Sequence, residues 1–148
     1  MDNVTFVSRR DNSFREFPPA SAQLAMVIPF FGDLMVWVRR DDASGWQFPS
    51  SQRRSGETIL EVAKRELWES ARVVPARLDL LGAVRHDLEK PVTSYVYMCE
   101  VASLPWSYEL PQNVVEIGAF ARTPVPLANE WTRIVLDAAL RARRTGLR

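Results

Sequence analysis

The sequence has one cysteine, Cys99, and one histidine, His86, in 148 residues. A single cysteine excludes an intramolecular disulfide and any cysteine-built zinc site. Its place in the apolar run YVYMCEV predicts a buried, inert thiol. An excess of one charge is also missing. Nineteen basic against eighteen acidic side chains leave a net charge of +1. That is no electrostatic footprint for DNA or for an anionic membrane. No run approaches the roughly 18 to 20 continuous apolar residues of a membrane span. The start, MDNVTFVSRRDNSF, carries acids and polar residues where a secretory signal needs an apolar stretch. The expectation is a cytoplasmic protein with neither DNA nor membrane as partner. Internal repeats, low-complexity tracts and linkers are absent as well.

What is present is the composition of an ordinary globular domain, with 47% apolar and 25% charged residues. The length predicts one domain over residues 1–148, large enough to bury a core without disulfides or structural metal. AQLAMVIPFFG and DLMVWVRR read as two strands joined at a Gly-Asp turn, a hairpin signal. Gly45 to Phe48 reads as a short third strand, stopped by Pro49. Residues 58–71 read as a helix: Ile59, Val62, Ala63 and Leu67 recur at helical spacing, with Glu66, Glu69 and Ser70 on an adjoining face. Pro75 blocks its continuation. RLDLLGAVRHDLE, VTSYVYMCEVA and VVEIGAFAR read as further strands. A last helix is expected from about Pro126 to Arg144, its buried stripe formed by Leu127, Trp131, Ile134, Val135 and Ala138. Two helices among mostly antiparallel or mixed strands predict an α+β or α/β layered fold.

The stretch WQFPSSQRRSGETILEVAKRELWESARV, Trp46 to Val73, carries the chemistry. Two glutamates three apart on one helical face, Glu66 and Glu69, supply half of an oxygen-ligand site for magnesium, which keeps waters and takes substrate phosphates as well. A third carboxylate from another element completes such a site or acts as base. A loop feeding a helix N-terminus can offer backbone N–H groups to phosphate oxygens.

The spacing resembles the Nudix hydrolase box, G-x5-E-x7-R-E-U-x-E-E-x-G-U with U aliphatic. Ser51 falls at the first Gly, Glu57 at the first Glu, and RELWESARV, Arg65 to Val73, on the remainder. The flanks WQFP and SGET are similar to those common in the family. Arg65, Glu66, Leu67, Glu69 and Val73 fit; Ser51, Ser70 and Arg72 depart from the pattern, and Ser50 also replaces a common glycine. The resemblance, MutT-like in kind, implies an α/β/α sandwich with a mixed central sheet. It also implies a Mg²⁺- or Mn²⁺-dependent hydrolase of phosphoanhydrides in a nucleoside diphosphate linked to another moiety, nucleoside triphosphates included.

It further implies roles for particular residues. Glu66, Glu69, Glu116 and the Ser50 carbonyl stand as metal ligands, and Glu66, Glu116 and Arg65 as catalytic residues, with Glu66 or Glu116 as base. Glu57 is the structural acid of the box, holding loop against helix through Arg65. Arg53 and Arg54 are candidate phosphate clamps, with plain solvated loop charge as the alternative. Asn129, in LANEW, resembles a purine-reading Asn, with a local backbone contact at the helix start as the alternative. Trp37, Trp46, Trp106 and Phe120 could stack on a base or belong to the core. A homodimer is left open. The three serines, Ser50, Ser51 and Ser70, keep a second reading in view: a Nudix-fold module that binds a nucleotide or a protein without efficient chemistry.

Overall fold

The structure is a computed structural model, and it describes residues 3–104 and 109–145. Eight strands and two α-helices follow in the order β1 (Val4–Ser8), β2 (Leu24–Phe31), β3 (Leu34–Arg40), β4 (Trp46–Gln47), β5 (Ser50–Gln52), α1 (Ile59–Ala71), β6 (Asp79–His86), β7 (Val92–Glu100), β8 (Val114–Phe120) and α2 (Thr132–Arg144). The main sheet runs β1-β6-β7-β2-β3-β4. Only β2 and β7 are parallel, from Leu24 opposite Ser94 to Phe30 opposite Glu100; the other pairs are antiparallel. The expected α+β sandwich with a mixed sheet is what forms.

The alternation along the strands decides which helix covers which face. On β2, Ala25 and Val27 join a cluster with Ile59, Val62, Ala63 and Leu67 of α1. Met26, Ile28 and Phe30 join Val135, Leu136 and Ala139 of α2. With both faces covered, β2 reads as a continuous apolar run rather than an alternating one. Strand β3 divides likewise, Val36 and Val38 toward α1, Met35 and Trp37 toward α2. The Trp37 ring stacks on Phe48 at 3.8 Å.

The sheet forks where the site forms. Strands β2 and β3 pair only at Phe30 and Phe31. Beyond that, β5 takes the free edge of β2, while β3 pairs with β4 at Val38 and Arg39 and with β8 from Met35 to Arg40.

Three sequence expectations need correction. Helix α2 begins at Thr132, not near Pro126. The segment before it is held extended by a bridge between Trp46 and Leu127, with Trp46 N–H on the Pro126 carbonyl and Ala128 N–H on the Trp46 carbonyl, both at 2.9 Å. In its buried stripe Ile134 is replaced by Leu136, and Ile134 is exposed. Two strands went unread: β1, which edges the sheet beside β6, and β5, formed by the polar Ser50, Ser51 and Gln52.

Candidate active site

Helix α1 is set by its ends. Thr58 accepts from the Glu61 N–H and the Glu61 carboxylate accepts from the Thr58 N–H, a reciprocal cap. At the other end Arg72 adopts the left-handed conformation, φ 56°, which a glycine adopts without the penalty of about 1–2 kcal/mol. The helix therefore ends as the glycine pattern would end it, with an arginine in that place. Ser50 and Ser51 behave otherwise. They lie in a strand, and neither is among the positive-φ residues. The turn strain that a Gly-to-Ser change at these two positions would create does not arise.

A cleft of about 380 Å³ opens at the fork, lined by Arg40, Ser50, Ser51, Arg54, Glu66, Glu69, Ser70, Arg72, Gln112 and Asn113. Glu66 is buried. Its Oε2 accepts from the Ser70 hydroxyl and from the Arg40 guanidinium, so Oε1 accepts neither. Arg40 also donates to Ser70 Oγ at 2.6 Å. Burial pushes the Glu66 carboxyl above its usual range, while the Ser70 hydrogen bond and the Arg40 charge oppose the rise.

Glu69 is shared by Arg54 and Arg65, each at 3.3 Å. Arg65 reaches farther back, to both oxygens of Glu57 at 2.7 and 2.9 Å, to the Gln52 carbonyl at 2.9 Å and to Ser51 Oγ at 3.3 Å. Glu57 accepts the Arg54 backbone N–H as well. These hydrogen bonds, the Arg65 one foremost, hold its carboxyl down to about 2. The network ties the loop to α1 through Arg65 and Glu57, and that pair lies behind the cleft wall rather than in it.

Several candidates lie elsewhere. Glu116 stands directly opposite Arg39 and pairs with it at 2.9 Å. Arg39 in turn lies 6.0 Å from the Trp46 ring centroid, on the α2 side of the sheet. Glu116 is thus on the face opposite Glu66. Arg53 points away from the cleft, donating to the Pro19 carbonyl at 2.6 Å. Asn129 lies in the extended segment before α2, and its carbonyl accepts the Thr132 N–H. Trp37 and Trp46 are core side chains, and Phe120 meets Trp46 edge-on at 5.0 Å. Trp106 lies outside the described residues. His86 packs edge-on against Trp131 at 4.8 Å. Cys99 is buried, its thiol pushed up to about 12.

The residue that sequence reasoning missed is Arg40. Its signal was there: Val36, Val38 and Arg40 share one parity on β3, so Arg40 faces α1 with the two valines.

A mixed sheet covered by one helix on each face, with an acid- and arginine-lined cleft at the fork, defines an α/β/α sandwich. The chain belongs to the NUDIX domain family, whose family model matches residues 19–130. Among solved structures, a Bacillus subtilis pyrophosphohydrolase, BsRppH, superposes with a TM-score of 0.77 at 18% identity, covering 95% of this chain and 92% of that one. A MutT NUDIX hydrolase from Burkholderia pseudomallei gives 0.66 at 22% identity, over 78% and 95%. The NUDIX domain of NrtR from Shewanella oneidensis, solved with ADP ribose, gives 0.62 at 19%, over 90% and 94%. Among curated proteins, an RNA pyrophosphohydrolase of Xanthomonas campestris is 43% identical over 49 residues, 33% of this chain and 24% of its own length. One from Xylella fastidiosa is 38% identical over 65 residues, 44% and 34%. The chain therefore matches only about a quarter to a third of the length of these relatives.

Nudix hydrolases generally use divalent metals. The donors of this cleft do not fit such an ion as they stand. Glu66 and Glu69 are each held by guanidinium groups, and Ser70 brings a neutral hydroxyl where the family pattern has a carboxylate. Among the described residues no group of three or more His, Cys, Asp or Glu side chains is placed to hold a metal. No helix of the described residues is long and apolar enough to cross a membrane.

Proposed function

We propose that this protein hydrolyses a phosphoanhydride bond in a nucleoside diphosphate linked to a further group, with the α1 cleft as its active site. The observation that carries this reading is the convergence on one cleft of Ser50, Ser51, Arg54, Glu66 and Glu69. These come from both halves of the box, which the fold closes on each other through Arg65 and Glu57. Membership of the family supports it, as do the relatives named as pyrophosphohydrolases. The nucleotide-derived ligand of the Shewanella domain supports the substrate class.

In this reading the guanidinium groups around the cleft bind and orient the phosphates. A water oxygen forms the new bond to phosphorus, the bridging P–O bond breaks, and the departing phosphate keeps the bonding electron pair. Oε1 of Glu66, which accepts neither Arg40 nor Ser70, takes the water's proton. Glu116, across the sheet and paired with Arg39, has no part in this step.

The test is release of phosphate or pyrophosphate from a panel of nucleoside triphosphates, ADP-ribose, dinucleoside polyphosphates and 5′-triphosphorylated RNA. Mg²⁺ and Mn²⁺ are supplied in turn. Turnover that falls by about a hundredfold or more in Glu66→Gln is the expected result, a typical share for a general base. Absence of turnover on the whole panel with either ion would overturn the reading.

A further inference from the structure

The charge balance of the cleft runs against its family pattern. Three arginines line it, Arg40, Arg54 and Arg72, against two carboxylates, Glu66 and Glu69. Both carboxylates already have cationic partners, Arg40 on Glu66 and Arg54 on Glu69. The position that could have added a third acid holds Ser70, buried and bonded to Arg40. Arg72 occupies the place of the pattern's closing glycine, in a backbone conformation that costs a non-glycine residue free energy. A left-handed arginine on the rim of a cleft is strain kept at a site, and strain of that kind tends to cluster where ligands are held.

An arginine-rich cleft with neutralised carboxylates repels a free cation and attracts a polyanion. Guanidinium groups present several donors in a planar fork that matches phosphate oxygens. The volume, about 380 Å³, lies in the range of roughly 300 to 1,000 Å³ usual for small-molecule sites.

We infer that the cleft binds the diphosphate of its substrate directly on Arg40, Arg54 and Arg72, without a divalent ion bridging protein and phosphate. This rests on the proposed function only in placing the phosphates in this cleft. Arg40 reaches them by giving up part of its hold on Glu66. Arg54 does so by leaving Glu69, a half-exposed partner that Arg65 continues to hold. Arg72 is already at the rim, its guanidinium donating to the Trp68 carbonyl of its own helix.

The experiment is calorimetric titration of the full chain with inorganic pyrophosphate, in EDTA and in Mg²⁺, beside urea unfolding of each variant. Binding in EDTA within a few-fold of that in Mg²⁺ is expected. Arg54→Met should weaken it by about tenfold or more, the size of one lost charge-assisted hydrogen bond. Arg72→Gly is the decisive variant. It relieves the left-handed backbone while removing the guanidinium, so the unfolding midpoint should rise while pyrophosphate affinity falls. A weakened but better-folded protein cannot be explained by misfolding.

Binding seen only with Mg²⁺, or EDTA binding unchanged in both variants, would overturn the inference. Its failure is separable from that of the hydrolase reading. Turnover on the nucleotide panel without pyrophosphate binding in EDTA removes the inference and leaves the enzyme. Binding in EDTA without turnover does the reverse.

Discussion

Arg40, from β3, donates to the same oxygen of Glu66 that accepts the hydroxyl of Ser70, and Arg40 donates to Ser70 as well. Three side chains from two elements close one buried triangle around a single carboxylate. The triangle needs a small neutral group at position 70, since a second carboxylate there would share the one guanidinium with Glu66.

That requirement predicts the outcome of Ser70→Glu. Position 70 is only 1% exposed, so the added carboxylate enters a desolvated site beside a like charge. The variant should lose up to about 3 kcal/mol of stability in EDTA, the scale of a poorly compensated buried charge. Mg²⁺ should recover part of that loss by binding the folded form. Urea unfolding with and without Mg²⁺ measures both effects, and an unfolding midpoint indifferent to Mg²⁺ would show that the extra acid builds no cation site.

The Glu57 pair sets an acid limit on the fold. Its carboxyl is lowered from 4.5 to about 2 in the folded protein, chiefly by Arg65. A carboxyl lowered by folding adds stability above its unfolded value, and that contribution is lost as pH falls toward the folded one. The wild type should therefore lose stability between about pH 4.5 and 2. Glu57→Gln should be less stable at neutral pH and show a flatter dependence across that window. Unfolding midpoints followed from pH 7 downward test it, and parallel curves for the two proteins would contradict it.

Gly45 holds the approach of two backbones. A Cβ there would lie 2.5 Å from the Pro126 carbonyl oxygen and 2.8 Å from the Ala128 nitrogen, and backbone atoms cannot swing aside. Gly45→Ala should cost about 1–3 kcal/mol, as overpacking does, by prising the segment before α2 from Trp46. The same change should alter amide shifts from Leu127 to Asn129 while leaving those of α1 in place. Chemical denaturation and an amide correlation spectrum check the two halves of this prediction.

The two long elements of the site were readable because their periods are strong. Ile59, Val62, Ala63 and Leu67 mark the inner face of α1, and the box spacing puts Glu66 and Glu69 beside that face. What the pattern concealed is how far toward the core that neighbouring face is rotated. Glu66 and Ser70 are as buried as the leucine between them, so their partners had to come from another element. Arg40 was legible in principle from the parity of β3.

The face that Glu116 takes was legible from alternation along VVEIGAF. The β3–β8 ladder shifts register between Arg39 and Arg40, with Arg39 opposite Glu116 and Arg40 opposite Val114. That shift brings Val114 to the α1 cluster and leaves Glu116 in regular alternation with Ile117 and Ala119, which pack on that cluster. Arg53 is a different case. Arg54 lines the cleft, whereas Arg53 is drawn to the Pro19 carbonyl, a partner far off in the chain that the box does not show.

Arg72 closes the cleft on one side and on the other covers an indole, its guanidinium carbon 5.2 Å from the Trp68 ring centroid. Trp68 is half exposed, whereas Trp37 and Trp46 are buried. A cation held over an aromatic face perturbs the emission of that ring, and among the described residues Trp68 is the tryptophan that carries such a contact from an arginine lining the cleft. Any ligand that draws Arg72 inward changes the light from Trp68, so the protein carries its own fluorescent gauge of cleft occupancy, and Trp68→Phe supplies the blank.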